Sequence, residues 1–226
     1  MAFRVATFDC YGTLIDWEGG LGTFLYALAR RKGEEHPEPG SVLRERWEAI
    51  QFELIQGDYR PYREVLTDAL REWCGERRYR WNENDGEALA DSMRAWQPFP
   101  DTVPALRAAR AAGMRLVIAS NTDRDIIEHS LRQMDVPFDD VQTAQDVGAY
   151  KPDEEVFRRL LEHLDEPPEH VLHVAFGFKY DIGPAQTLGM RTAWVNRHAE
   201  SAPGPARPDF EWRDLWGLAE AAGARP

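Results

Sequence analysis

Short apolar runs alternate with helical segments through the second half of the chain, and this alternation restricts the fold more than any other feature. Runs typical of buried strands occupy residues 115–119, 138–143, 171–176 and 191–195. Helical segments precede and separate these runs. The first helical segment is Ala-rich, spans residues 102–112 and is closed by Gly113. Strands joined through helices pair in parallel, with helices on both faces. The sequence therefore predicts an α/β fold with a Rossmann-like three-layer core around a parallel sheet.

One more strand precedes this region, and a long helical insert follows it. Residues 3–8 form a β-type run that stops at Asp9. Between Trp17 and Trp96 the apolar residues follow helical spacing, with breaks rich in Pro and Gly at residues 36–40 and 57–61. We expect a core of residues 1–15 and 97–226 and a helical insert of residues 16–96.

Two helix starts are predicted from local chemistry. Asp123 precedes a helical pattern, and its side chain is expected to cap the helix that begins at Arg124. Lys151 and Pro152 precede a second pattern, in which Pro152 is expected at the first helical position.

Composition excludes several classes of protein. The 226 residues include 27 Lys and Arg against 39 Asp and Glu, a net charge of −12, which opposes broad binding to nucleic acid or anionic membranes. The longest purely apolar stretch, residues 116–119, is far shorter than the roughly 20 residues of a membrane span. Residues 1–15 lack the pattern of a signal peptide, and Cys10 and Cys74 suit a reducing compartment. We expect a cytoplasmic protein with a small-molecule partner; the sequence leaves a homodimer open.

Polar residues follow three of the predicted strands. Asp9 ends the first strand, Ser120 and Asn121 end the second, and Asp181 follows the fourth. Ligands of open parallel sheets bind outside the carboxyl ends of the strands. Lys151, at a helix start, adds a cation that would keep a nucleophilic carboxylate ionised.

In their order, four segments resemble the four motifs of the haloacid dehalogenase superfamily. They are Phe8-Asp9-Cys10-Tyr11-Gly12-Thr13-Leu14, Ala119-Ser120-Asn121, Tyr150-Lys151-Pro152-Asp153, and Asp181. The insert after the first motif resembles the helical cap of that superfamily. The motif wording is most similar to the 2-haloacid dehalogenase branch.

The resemblance implies a hydrolase that forms a covalent ester with its substrate and requires no metal or other cofactor. Asp9 would be the nucleophile, Lys151 would hold its carboxylate, and Asp181 would position the hydrolytic water. The anionic group of a small substrate, in the first place a 2-haloacid, would be bound by Ser120, Asn121 and the backbone of Cys10 and Tyr11.

Two departures from the superfamily pattern bear on the chemistry. Most phosphatases of the superfamily that this chain resembles carry a second Asp where Tyr11 stands here. They also carry a magnesium-binding Asp where Phe176 stands. Without a metal, a phosphate dianion near Asp9 would meet repulsion of about 4 kcal/mol for each pair of like charges. A 2-haloacid presents a neutral carbon instead. A phosphatase with an atypical magnesium site, and a catalytically silent binding protein, are the alternatives.

A third departure concerns the insert. Glu48 stands where dehalogenases carry an Arg that receives the departing halide. A negative charge there would repel the halide by about 4 kcal/mol. Four arginines are alternative sources of the missing cation: Arg44, Arg46, Arg60 and Arg63.

Each candidate also has an ordinary structural interpretation when it is considered alone. Lys151 would be a surface lysine, Asp181 a helix cap, and Ser120 with Asn121 a strand end. His173 reads as a satisfied core residue. The side chain of Cys10 should point away from that of Asp9, because side chains alternate along a strand.

Overall fold

Six parallel strands form the centre of a computed structural model that describes residues 3–223. The spatial order is β3-β2-β1-β4-β5-β6. The strands are β1 Val5–Phe8, β2 Arg115–Ser120, β3 Asp140–Thr143, β4 Val171–Ala175, β5 Arg191–Val195 and β6 Phe210–Trp212. Strand β1 pairs with β2 on one side and β4 on the other. Asp9, which follows β1, therefore lies at the middle of the sheet.

Helices cover both faces of the sheet and form the insert. The insert contains α1 Trp17–Arg31, α2 Gly40–Leu54, α3 Tyr62–Glu76 and α4 Asn84–Ser92, and the described residues include no strand between 17 and 96. The remaining helices are α5 Thr102–Ala111, α6 Arg124–Met134, α7 Ala144–Val147, α8 Glu154–Leu164, α9 Gly183–Thr187 and α10 Trp216–Ala221.

Alternation along β1 produces the three layers. Ala6 and Phe8 join a cluster that contains apolar residues of α5, α6 and α10, as well as those of the insert. Val5 joins the opposite cluster, which includes Val156 and Phe157 of α8. Successive side chains of a strand point to opposite faces, so two layers of helices are needed to bury them. The expected α/β architecture is confirmed.

Local differences from the sequence-based prediction have local causes. Helix α8 begins at Glu154, so the prediction of Pro152 at its first helical position is wrong. Asp153 is the residue before the helix, and its side chain accepts a hydrogen bond from the N–H of Glu155 (2.9 Å). Strand β6 and helix α10 were not predicted, because a three-residue edge strand leaves little periodicity to detect.

Asp123 does not cap the helix that follows it, which corrects the second predicted helix start. Its carboxylate accepts hydrogen bonds from the backbone N–H groups of Tyr62 (2.9 Å) and Arg63 (3.0 Å), the first residues of α3. The N–H of Arg124 donates instead to the side chain of Gln145 (2.9 Å). A helix N-terminus has unpaired N–H donors and a partial positive charge, so a carboxylate from the core suits it. Asp123 thereby joins the insert to the core.

Among residues 3–223, none of the helices has the length and apolar content that crossing a membrane requires.

Helices α1 and α2 pack with their backbones in contact at two glycines, which gives a test of the insert. A Cβ added at Gly40 would lie 2.5 Å from the carbonyl oxygen of Gly22, whereas one added at Gly75 in α3 would meet no atom within 4 Å. We expect Gly40→Ala to lower the free energy of unfolding by about 1–3 kcal/mol because the helices must separate. Gly75→Ala, the control, should raise it by about 0.5–1 kcal/mol.

Urea denaturation followed by circular dichroism measures both changes. Equal effects of the two substitutions would contradict this account of the α1–α2 contact.

Candidate active site

The carboxyl ends of three neighbouring strands bring the predicted polar residues together. Asp9 follows β1, Ser120 ends β2, and the helical turn Phe178–Ile182 after β4 carries Asp181. The strands run in parallel with β1 in the middle, so their ends meet at one edge. Lys151 reaches this edge from the segment before α8.

The side chain of Lys151 lies between the two carboxylates. Its ammonium donates to Oδ1 of Asp9 (2.9 Å), Oδ1 of Asp181 (2.6 Å) and the carbonyl oxygen of Ala119 (2.9 Å). Lys151 is 1% exposed, so the interpretation as a surface lysine is wrong. All three of its donors are used, as a buried ammonium requires.

The two carboxylates share one cation unequally, and their pKa values differ accordingly. Burial raises the pKa of Asp181, but the charge of Lys151 and the hydrogen bond from His173 outweigh burial and lower it. Burial also raises the pKa of Asp9, and there the opposing effect of Lys151 does not cancel it. Burial alone would lower the pKa of Lys151, yet the two carboxylates raise it. The cation therefore stays charged, and Asp9 is the more basic carboxylate.

The second oxygen of Asp9 is held from the loop after β1. Thr13 donates through Oγ1 to Oδ2 of Asp9 (2.7 Å) and accepts from the N–H of Phe176 (2.9 Å). With Oδ1 bonded to Lys151, the carboxylate is fixed at both oxygens. Each oxygen keeps one lone pair, because a carboxylate can accept about four hydrogen bonds. Sequence reasoning did not select Thr13.

His173 supports Asp181 from within β4. Its Nε2 lies 2.9 Å from Oδ1 of Asp181, and its Nδ1 lies 2.9 Å from Oγ1 of Thr7 in β1. The ring is fully buried, as expected of a core residue. Sequence reasoning missed its contact with Asp181, although a histidine within an otherwise apolar strand was the available signal.

Several donors beside Asp9 have no protein partner. No described residue accepts a hydrogen bond from the backbone N–H groups of Cys10 and Tyr11, and Oγ of Ser120 is buried and unpaired. The side-chain amide of Asn121 is already engaged: it donates to the carbonyl oxygen of Lys151 (2.9 Å) and accepts from the N–H of Lys151 (2.7 Å). Unpaired buried donors are costly unless a ligand satisfies them.

Cys10 does not offer a reactive thiol. Its side chain is fully buried and is not among the groups that line the cavity beside Asp9. Burial, and then the charge of Asp9, raises its pKa well above the usual value. The thiol therefore stays protonated, in agreement with the expected alternation after β1.

A small cavity of about 120 Å³ opens between the sheet edge and the insert. A cavity of roughly 150 Å³ is enough for benzene, so this one admits a molecule of only a few heavy atoms. The core contributes Asp9, Asp181 and Lys151, the insert contributes Glu48, and both units contribute aromatic rings. The lining residues are Asp9, Tyr11, Trp17, Glu48, Gln51, Tyr62, Ser120, Asn121, Lys151, Phe176, Gly177, Tyr180 and Asp181.

Among the described residues no arginine lines this cavity, so the four alternative cations of the insert are not available there. Each is paired with acidic side chains, and of these partners only Glu48 lines the cavity. Arg44 pairs with Glu18 and Glu48, Arg46 with Glu76, Arg60 with Asp68, and Arg63 with Asp125 and Glu87. Glu48 itself lines the cavity.

Comparison with known proteins identifies the class of hydrolases to which this chain belongs. A family model described as haloacid dehalogenase-like hydrolase matches residues 3–188, more than four fifths of the chain. The chain belongs to the haloacid dehalogenase-like hydrolases.

Individual relatives include both dehalogenases and a phosphatase. An (S)-2-haloacid dehalogenase of Pseudomonas putida is 28% identical over 197 residues, which cover 84% of this chain and 83% of the relative. A crystal structure of an L-2-haloacid dehalogenase superposes with a TM-score of 0.84 at 25% identity, covering 99% of this chain and 100% of that one. A phosphoserine phosphatase of Thermus thermophilus is 27% identical over 184 residues, 74% of each chain.

Removing the shared cation should destabilise the protein. Lys151→Met would leave two buried carboxylates without a counter-charge, and we expect the free energy of unfolding to fall by about 3–5 kcal/mol. Urea denaturation at neutral pH measures this loss. Lys179→Met, at an exposed lysine beside the site, is the matched control and should change stability by less than about 0.5 kcal/mol.

A triple variant with Asp9→Asn and Asp181→Asn added to Lys151→Met should recover part of the lost stability, because no buried charge remains unpaired. A Lys151→Met protein as stable as the Lys179→Met control would contradict the role given to the cation.

Proposed function

We propose that the protein hydrolyses the carbon–halogen bond of a small 2-haloacid through an ester formed on Asp9. The observation that carries this proposal is a carboxylate fixed at both oxygens beside a lysine, facing a cavity for only a few heavy atoms. The (S)-2-haloacid dehalogenases among the relatives support the choice of substrate. In this proposal residues 16–96 act as a cap over a core of residues 1–15 and 97–226.

The first step is a displacement at carbon. A free lone pair of the Asp9 carboxylate attacks the halogen-bearing carbon, an ester bond forms, and the halide leaves with the electron pair of the broken bond. Lys151 and Thr13 hold the carboxylate during the attack, which reduces the entropy lost in reaching the reactive geometry. The Asp9 side chain is 12% exposed and that of Asp181 2%, so Asp9 is the carboxylate more open to a substrate.

The substrate carboxylate would be bound by the unpaired donors beside Asp9. The N–H groups of Cys10 and Tyr11 and the hydroxyl of Ser120 are neutral donors that would stabilise an anion without a further cation. Asn121 would act by a different route from the one the sequence suggested. Its amide holds the backbone of Lys151, so we assign its side chain to positioning that lysine.

The second step is hydrolysis of the ester. Oδ1 of Asp181 is held by Lys151 and His173, while no described residue donates to its Oδ2. That oxygen would accept a hydrogen bond from a water and direct it at the ester carbonyl carbon. Cleavage of the ester then restores the Asp9 carboxylate and releases a 2-hydroxyacid and a proton.

Magnesium-dependent phosphoester hydrolysis fits these residues poorly. Magnesium prefers octahedral oxygen coordination, but Phe176 presents an apolar ring, and the ammonium of Lys151 lies between the oxygens of Asp9 and Asp181. The proposed steps therefore use only side chains and backbone groups of this chain.

We further propose a cytoplasmic location, because Cys10 and Cys74 are both free thiols buried in the interior.

A panel of substrates tests the proposal. We expect halide release from two- and three-carbon 2-haloacids, with full activity in a chelator, and slower turnover of longer haloacids that exceed the cavity volume. Asp9→Asn should lower kcat/KM by at least about a thousandfold, because the amide is not a nucleophile. Ion chromatography of halide measures both effects.

The same panel includes phosphoesters with and without magnesium. Asp9-dependent phosphate release that requires magnesium, in the absence of halide release, would replace this proposal with the phosphatase alternative. Full halide release by Asp9→Asn would contradict the ester mechanism.

A further inference from the structure

Glu48 occupies the insert side of the cavity, opposite the carboxylate and lysine of the core. It projects from the middle of α2 and lines the cavity together with Gln51, one turn later on the same helix. An attacking group displaces its leaving group from the opposite side of the carbon. In a substrate attacked by Asp9, the leaving group would therefore point towards the insert and Glu48.

The charges around Glu48 come from two helices and from a loop of the core. Arg44, one turn earlier on α2, pairs with Glu48 and also with Glu18 of α1 (2.6 Å). Glu18 further pairs with His198. Glu45 of α2 adds a further negative charge, and Tyr180, Lys151 and Asp9 line the same cavity from the core. One arginine thus serves two carboxylates, so Glu48 has only a shared counter-charge in a half-buried position.

We propose that Glu48, in its neutral carboxylic acid form, donates a hydrogen bond to the departing halide in place of a cationic side chain. This inference rests on the proposed dehalogenase function. It replaces the expectation that Glu48 repels the leaving group.

The hydrogen bonds of Glu48 are compatible with this form. Its Oε1 accepts from Arg44, whereas no described residue donates to its Oε2. A proton on Oε2 therefore leaves the contact with Arg44 intact. Burial raises the pKa of Glu48 to about 7, although Arg44 acts in the opposite direction. Below that pH the side chain is neutral and carries an O–H group that can donate. Above it the side chain is an anion and has no hydrogen to donate.

Displacement of the halide does not require transfer of the Glu48 proton. The bond from the Asp9 oxygen to carbon forms as the carbon–halogen bond breaks, and the electron pair leaves on the halide. The Oε2–H group of Glu48 stabilises the new negative charge by a charge-assisted hydrogen bond. The proton remains on Glu48, and the halide leaves as the anion.

The pH dependence of turnover tests the donor. In the wild-type protein we expect kcat/KM for a 2-haloacid to fall about tenfold per pH unit well above pH 7, as Glu48 ionises. Glu48→Gln keeps a neutral N–H donor that does not titrate. Its profile should be flat over the same range, so that the variant exceeds the wild type at pH 9.

Glu53→Gln, at an exposed position on the same helix, is the matched control and should keep the wild-type profile. A wild-type profile that does not fall between pH 7 and 9, or an equal fall in Glu48→Gln, would overturn the inference. Failure of the proposed function would look different, because no Asp9-dependent halide release would occur at any pH or in any variant.

Halide binding to the resting protein tests the same donor without turnover. Broadening of the chloride NMR signal by the wild-type protein should be strong at pH 6 and largely lost at pH 9. In Glu48→Gln it should persist at both pH values. Broadening that is absent at pH 6, or unchanged up to pH 9 in the wild type, would contradict a neutral donor at this position.

Discussion

A single buried ammonium determines how the site and the sheet are built. Lys151 bonds to the carboxylates that follow β1 and β4 and to the carbonyl oxygen of Ala119 near the end of β2, so it joins three strand ends at one point. A buried charge is costly unless it is paired, and each of these groups is acceptable only in the presence of the others. The chain reaches this arrangement from positions 9, 151 and 181, which are distant in sequence. The site is therefore complete only when all three strand ends are in place.

The contact between insert and core depends on the carboxylate of Asp123, a core residue that accepts hydrogen bonds from the insert. Asp123 accepts from the first two N–H groups of α3, and the hydroxyl of Tyr150 donates to the carbonyl oxygen of Arg60 (2.8 Å) just before that helix. Tyr150 directly precedes Lys151. Asp123 lies two residues after Asn121, whose side chain holds the backbone of Lys151. Residues adjacent to the site thus also orient α3, which carries Tyr62 into the cavity.

The sequence was sufficient for the first five strands and the helical insert, and for placing Asp9 and Asp181 together, because parallel strands end at a common edge. It could not assign Asp123, whose side chain fits two helix starts equally well until the tertiary structure brings α3 close. The partner of His173 was equally inaccessible. Its contact with Asp181 depends on the turn Phe178–Ile182, which has no distinctive pattern.

The balance of charges around the cavity explains why Glu48 need not repel a departing halide. Lys151 compensates one of the two core carboxylates, and Arg44 is divided between Glu48 and Glu18. Protonation of Glu48 removes one of the two negative charges that share Arg44. The reacting region then offers N–H and O–H dipoles and no surplus cation. Such a site tolerates a monoanion with a neutral reacting carbon better than a phosphate dianion, whose extra charge would have no counter-ion.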